Sequence, residues 1–286
     1  MEKKQASISG NILLAVDGSQ SAKVAARIAV QVASAMRWGL HALYVVDVTD
    51  VFDIYTDTAK ELSELEEEMP SEQKVRLFEE QGALALTEIE GICQGTGVPF
   101  TPEISFGGVP EIVLKTSKDY NLLAIGRRGN RHKKEAQHLG SNFQQIAHHS
   151  HIPLLISGDD SVGQKLQRGL LAYDGSELSR KALDWAETLH NMFTNMTVLS
   201  VEKEDEKDHT WLADRHEEIA SSNLTRCEFI RAAGDPGSVI ASTGSEKQAD
   251  LILMGAYQHT RFLGWARHSV IDIVLRGTDL PVLATK

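Results

Sequence analysis

Cysteine is nearly absent: Cys93 and Cys227 are the only two in 286 residues, too few and too far apart for a disulfide framework. Positive charge is in deficit. The formal net charge of -11 disfavours wholesale binding to nucleic acid or to an anionic membrane. Long apolar runs are missing as well. Nowhere do eighteen apolar residues follow one another, and the opening MEKKQASISG lacks the apolar centre of a secretory signal. These absences lead us to expect a soluble, cytoplasmic protein. Two familiar phosphate signatures are also wanting. There is no G-x-x-x-x-G-K-[ST], and Gly95-Thr96-Gly97 lacks the third glycine of a dinucleotide fingerprint. Those two glycines are expected to end a helix.

What is present is a repeat. NILLAVDGSQSAKVAARIAV (11–30) and RGLLAYDGSELSRKALDWAE (168–187) each give an apolar strand, Asp-Gly-Ser, and an amphipathic helix. GVPEIVLKTSKDYNLLAIG is answered by GDPGSVIASTGSEKQADLILMG, and SHIPLLIS (150–157) by TDLPVLAT (278–285). Three matches in one order indicate duplication. The first half is the longer, by an acidic insert at about 50–81 that is helical in type and broken at Pro70. Leu62, Leu65 and Met69 form an apolar stripe there, suited to packing, to covering a ligand or to meeting a partner.

Period and punctuation predict the elements of the first half. Strands are expected at 12–17, 41–47, 101–106, 122–126 and 153–157. Helices are expected after Ser19, which can cap the first, to about Arg37, at 109–119 and from Ser141. Such alternation predicts an α/β fold, two tandem doubly wound parallel sheets. The expected division is a first domain over 1–157, a polar linker over 158–167 and a second domain over 168–286. PLLIS and PVLAT, last in their halves, would each leave an unpaired edge. Antiparallel pairing between them would cover both.

The chemistry concentrates in IGRRGNRHKKEAQHLGSN (125–142). Ligands of such sheets sit at the carboxyl ends of the strands. Gly126 and Gly129 let backbone amides approach an anion closely, and Gly140-Ser141 opens a helix whose free amides favour phosphate. Arg127, Arg128, Arg131, Lys133 and Lys134 add positive charge between. A solvated loop with turn glycines is the plainer alternative.

Other candidates are weaker. His148, His149 and His151 cluster, but Pro153 ends their helix and no Cys or His-x-x-x-His pair joins them, so a helix end is expected rather than a metal site. Asp17 and Asp174 each sit in a turn that caps the next helix, without a general acid–base partner. Cys93 and Cys227 fall on apolar patterns and are expected to pack.

Both halves resemble universal stress protein domains, and together they resemble the tandem type. The family's ATP-binding members carry Gly, two residues, Gly, nine residues, Gly-Ser or Gly-Thr. Here Gly126-Arg127-Arg128-Gly129 is followed by ten residues and Gly140-Ser141. The resemblance implies a Rossmann-like fold of the adenine nucleotide alpha hydrolase type, arranged as an internal pseudo-dimer. It implies ATP, with Mg or Mn as a possible companion. Ala15, Asp17 and Val45 would contact adenine and ribose. Gly126, Arg127, Arg128, Gly129, Asn130, Arg131 and His132 would wrap the phosphates, with Gly140, Ser141, Asn142 and Phe143. A lesser second site would comprise Asp174, Val201, Gly255, Gln258, Arg261, His268 and Ser269. There Gln258 and His268 replace glycines. The role implied is a regulatory one in stress response, with a homodimer or another protein as partner. A slow ATPase and a nucleotide-free scaffold are the rival readings.

Overall fold

Apolar runs that do not alternate become strands covered on both faces, and the stripes between them become the covering helices. The computed structural model describes residues 10–47, 71–129, 139–158, 165–202, 217–224, 227–256 and 269–286. In the first half these are β1 (Asn11–Val16), α1 (Gln20–Met36), β2 (Gly39–Asp47), α2 (Ser71–Cys93), β3 (Phe100–Gly107), α3 (Val109–Ser117), β4 (Leu122–Gly126), α4 (Ser141–His149) and β5 (Leu154–Ser157). The second half gives β6 (Arg168–Ala172), α5 (Glu177–Thr188), β7 (Asn195–Glu202), β8 (Cys227–Ala233), α6 (Pro236–Glu246), β9 (Leu251–Gly255), α7 (Val270–Gly277) and β10 (Val282–Thr285). Every strand predicted for the first half is present, with ends shifted by a residue or two. Helix α2 begins directly after Pro70, whereas the insert's Leu62, Leu65 and Met69 lie outside the described residues. Gly95 and Gly97 follow α2 at φ +74° and +75°, open positions that suit a helix end.

All ten described strands form one sheet in the order β3-β2-β1-β4-β5-β10-β9-β6-β7-β8. Each half is parallel throughout. The seam between them is antiparallel, with Leu283 opposite Leu155, Val282 opposite Ile156 and Ala284 opposite Leu154. All six are fully buried. Alternation sends Leu155 and Leu283 to the face covered by α1, α2 and α5. Leu154, Ile156, Val282 and Ala284 go to the face covered by α3, α4, α6 and α7. Both cores thus run unbroken across the seam. On the first face Trp38 meets Trp185 of the other half edge-on, ring centroids 6.0 Å apart, a favoured aromatic geometry.

Two cations cross the seam. Arg127, directly after β4, is 1% exposed. Its guanidinium donates to Leu275 O at 2.7 Å and Thr278 O at 2.5 Å and pairs with Asp279, all at the end of α7. Lys286, directly after β10, donates through Nζ to Ala147 O in the last turn of α4. Burial brings its ammonium down to about 8. Carbonyls at a helix C-terminus are the natural partners of such charges. The residues left at the sheet's outer edges are those of β3 and β8. Pro102 lies in β3, and Glu228 and Arg231 are exposed on β8.

Leu155 and Leu283 therefore provide a direct test of the seam. Replacing both with lysine puts two ammonium groups opposite each other in the core, a loss on the order of 3–5 kcal/mol. We expect the halves to open, seen as a larger radius of gyration in solution scattering; an unchanged radius and melting temperature would contradict the seam.

Candidate functional site

In the first half the chain passes from β1 to β2 on one side and later enters β4 on the other. This topological switch leaves a crevice at the carboxyl ends of β1 and β4. Ala15 and Val45, both half-buried, lie at that rim on β1 and β2. The Asp17-Gly18-Ser19 turn follows β1. Asp17 Oδ1 accepts from Ser19 N at 2.9 Å, Gly18 takes φ +75°, and Ser19 Oγ accepts from Ala22 N at 3.1 Å. The sequence reading offered Ser19 as the cap and placed the aspartate in the same capping turn. The structure divides the work: Asp17 folds the turn, and Ser19 caps α1.

The glycines come together across the turn. Gly140 N donates to Arg127 O at 3.0 Å. A Cβ added to Gly140 would lie 3.7 Å from Gly129 N, and one added to Gly129 would lie 3.0 Å from Asp17 Oδ2. Asp17, Gly129 and Gly140, far apart in sequence, thus surround one spot. Gly140 is the N-cap of α4 and contributes no side-chain bond to it. Among the described residues no side chain caps the first amides of α4. Ser141 and Asn142 are exposed at that end.

Three predicted residues have other work. Gly126 is needed for packing, because a Cβ there would meet Ser21 Oγ at 2.3 Å and Ser21 C at 2.9 Å. Arg127 directs its charge away from the glycine cluster, to the carbonyls of α7, because a fork of donors matches the unsatisfied helix end. The expectation that its guanidinium lies among the phosphate-facing charges is corrected accordingly. Phe143 is a core side chain, so only its backbone reaches the rim. Arg128 is half-buried and its carbonyl accepts from Ser21 Oγ. Asn130, Arg131 and His132 lie outside the described residues, as do Lys133 and Lys134.

In the second half Asp174 Oδ1 accepts from Ser176 N at 3.0 Å, Gly175 has φ +71°, and Ser176 Oγ accepts from Ser179 N. Val201 is half-buried on β7. Gly255 is again a packing glycine: its Cβ would meet Leu178 Cβ at 2.7 Å and Leu178 C at 2.9 Å. The helix start differs. Ser269 is the N-cap of α7, and its Oγ accepts from Asp272 N. Gln258, Arg261 and His268 lie outside the described residues.

Sequence reasoning missed the hydroxyls that close each rim. Ser157 Oγ donates to Ser21 O at 2.6 Å, and Thr285 Oγ1 to Leu178 O at 2.7 Å. Their signal was the matched hydroxyl residue ending LLIS and VLAT. Also missed was a polar cluster at the opposite ends of β1–β3, beside a cavity of about 220 Å³ lined by Asn11, Thr101 and Tyr120. His41 there bridges the Tyr120 hydroxyl and Glu103, the latter at 2.8 Å.

The remaining candidates resolve simply. His148 and His149 are exposed in the last turn of α4, where His149 Nδ1 lies 2.8 Å from Gln145 O. Among the described residues no three His, Cys, Asp or Glu side chains group as metal ligands. No helix there is long and apolar enough to cross a membrane. Cys93, the last residue of α2, is buried in the core, its thiol pushed up to about 11 by burial and then by Glu90. Cys227 is half-buried on β8.

Comparison with known proteins agrees with the duplication. The model of the universal stress protein family matches residues 9–157 and again 166–286. The chain is similar to universal stress protein Slr1230 of Synechocystis sp., 24% identical over 290 residues, 96% of this chain and 98% of that one. Among solved structures it resembles a universal stress protein from Archaeoglobus fulgidus, with a TM-score of 0.72 at 21% identity over 97% of this chain and 96% of that one. A Pseudomonas aeruginosa UCBPP-PA14 structure gives 0.63 at 14% identity over 98% and 94%.

If Gly126 and Gly255 serve packing, substitution by alanine should cost similar stability in both halves, about 1–3 kcal/mol each. Chemical denaturation of the two variants measures this. A neutral Gly255→Ala beside a costly Gly126→Ala would instead mark Gly126 as special to a ligand.

Proposed function

The chain belongs to the universal stress protein family, with one domain matched in each half, and on that premise we propose that the first half binds one adenine nucleotide, ATP above all, as a regulatory ligand. The observation that carries this reading is the meeting of Gly129 and Gly140 beside Asp17, at an α4 N-terminus without a side-chain cap. A Cβ on Gly129 would enter that cradle. Phosphate oxygens suit such a place, since they accept from free amides and favour the positive end of a helix. The amides of Gly129, Ser141, Asn142 and Phe143 would hold the phosphates. Ala15, Asp17 and Val45 would line the base and sugar. Any Mg or Mn would arrive on the phosphates.

Binding is favoured over hydrolysis. One Asp17 oxygen is committed to the Ser19 amide, which makes it a brace for the turn rather than a base for water. The second half is the lesser site, because the Ser269 hydroxyl already serves the Asp272 amide that an anion would seek. A cytoplasmic protein reporting nucleotide level to a protein partner or a second copy completes the reading.

If backbone amides do the holding, Gly129→Val and Gly140→Val should each weaken ATP binding about tenfold or more, a loss of about 1.4 kcal/mol. Arg131→Ala should weaken it less. Calorimetry with purified protein ranks the three; an Arg131→Ala effect larger than both glycine variants would overturn the cradle.

The same titration gives stoichiometry. One nucleotide per chain is expected, and two sites of comparable affinity would contradict the assigned difference between the halves.

A further inference from the structure

Arg127 belongs to the glycine loop by its backbone and to the other half by its side chain. Its amide donates to Ser157 O at 3.1 Å and its carbonyl accepts from Gly140 N at 3.0 Å. It therefore ties the end of β4 to β5 and to the N-cap of α4. Its buried guanidinium grips the end of α7 through Leu275 O, Thr278 O and Asp279. The fit is close: a Cβ on Gly158 would meet Arg127 Nη2 at 2.8 Å and Asp279 O at 2.5 Å.

The position is unique to one half. By register the counterpart of Arg127 is Ala256, whose amide donates likewise to Thr285 O. The counterpart of Gly158 is Lys286. In one half the long cation follows β4 with a glycine beside it. In the other it follows β10 with an alanine beside it. Because the seam is antiparallel, the carboxyl rims of the two halves lie at opposite edges of the sheet. Helix α7 thus begins at the second half's rim and ends at the first half's glycine loop. Helix α4 runs the other way, from the first rim to the Lys286 contact at Ala147.

We propose that Arg127 is a positioning residue through which the second half sets the first half's nucleotide loop, so that occupancy of the loop is transmitted to the C-terminal turn of α7. This rests on the nucleotide reading given above. A buried charge held at a helix end has few alternative arrangements, so any shift of its backbone must be shared by the helix end it holds. The second half, the lesser ligand site, acquires a role as the frame and receiver of the first. Coupling of this kind is reciprocal: α7 constrains the loop as much as the loop constrains α7.

Hydrogen exchange and calorimetry on the full chain test the proposal. Asp279 is half-exposed and belongs to the other half, so Asp279→Ala leaves both the core and the glycine cluster intact. It should nevertheless raise amide exchange across 126–129 and 139–143 by about threefold or more. In the unaltered protein, added ATP should slow exchange at 275–279. Arg127→Ala should bind ATP about fivefold more weakly and lose that remote slowing. Arg127→Lys, which keeps the charge without the fork, should restore part of both. Loop exchange unchanged by Asp279→Ala, or ATP-dependent slowing at 275–279 that survives Arg127→Ala, would overturn it. Should Arg127→Ala fail to fold, Arg127→Lys and Asp279→Ala decide. Should the unaltered protein bind no adenine nucleotide, the proposed function falls, and the exchange response to Asp279→Ala alone decides the coupling.

Discussion

The antiparallel pairing of β5 with β10 governs the rest of the molecule. Each is a four-residue, wholly buried strand that would otherwise end its sheet with open amides and carbonyls. Pairing them satisfies those groups and makes each core face continuous. It also fixes the direction of everything else. Two parallel sheets joined through an antiparallel seam must present their ligand rims at opposite edges, and their last helices must lie alongside the seam in opposite senses.

Duplication preserved what packing demands and released what it does not. Gly126 and Gly255 both admit the first turn of a helix, and the hydroxyls of Ser157 and Thr285 both tie the last strand to that turn. Both Asp-Gly-Ser turns use the aspartate as a brace and the serine as a cap. Divergence falls where no such contact enforces identity. Arg127 faces Ala256, Gly158 faces Lys286, and the uncapped start of α4 faces the serine-capped start of α7. The shared features are architectural, so they cannot by themselves identify a ligand site. The differing ones bear on function.

Strands, most helices and even the pairing of PLLIS with PVLAT were legible in the sequence, because burial on both faces writes itself as unbroken apolar runs. Turn chemistry was nearly as plain: Ser19 reads as the cap of α1 and is one, while the aspartate's part as a brace for the turn needed the folded backbone. The functional residues were harder. A basic residue in a glycine loop reads as a phosphate ligand, and nothing local to Arg127 announces that its partners are carbonyls about 150 residues away. Phe143 likewise reads as part of the helix start; only the assembled sheet shows its ring to be core. The closeness of Asp17 to Gly129 depends on β1 and β4 being neighbours, a tertiary fact that no window of sequence contains.

The outer strands carry a consequence for how the protein behaves when crowded. An internal seam consumes one edge of each half and leaves β3 and β8 as the places where another chain could add a strand. On β3, Pro102 has no amide to offer, and on β8 the exposed Glu228 and Arg231 carry charge, ion-paired to Lys247 and Glu202. Residues of this kind discourage edge-to-edge growth. A fold that joins sheets by their edges can, in principle, keep doing so and become a filament. Among the described strands, the proline and the charges at the outer edges oppose a second joining of this kind.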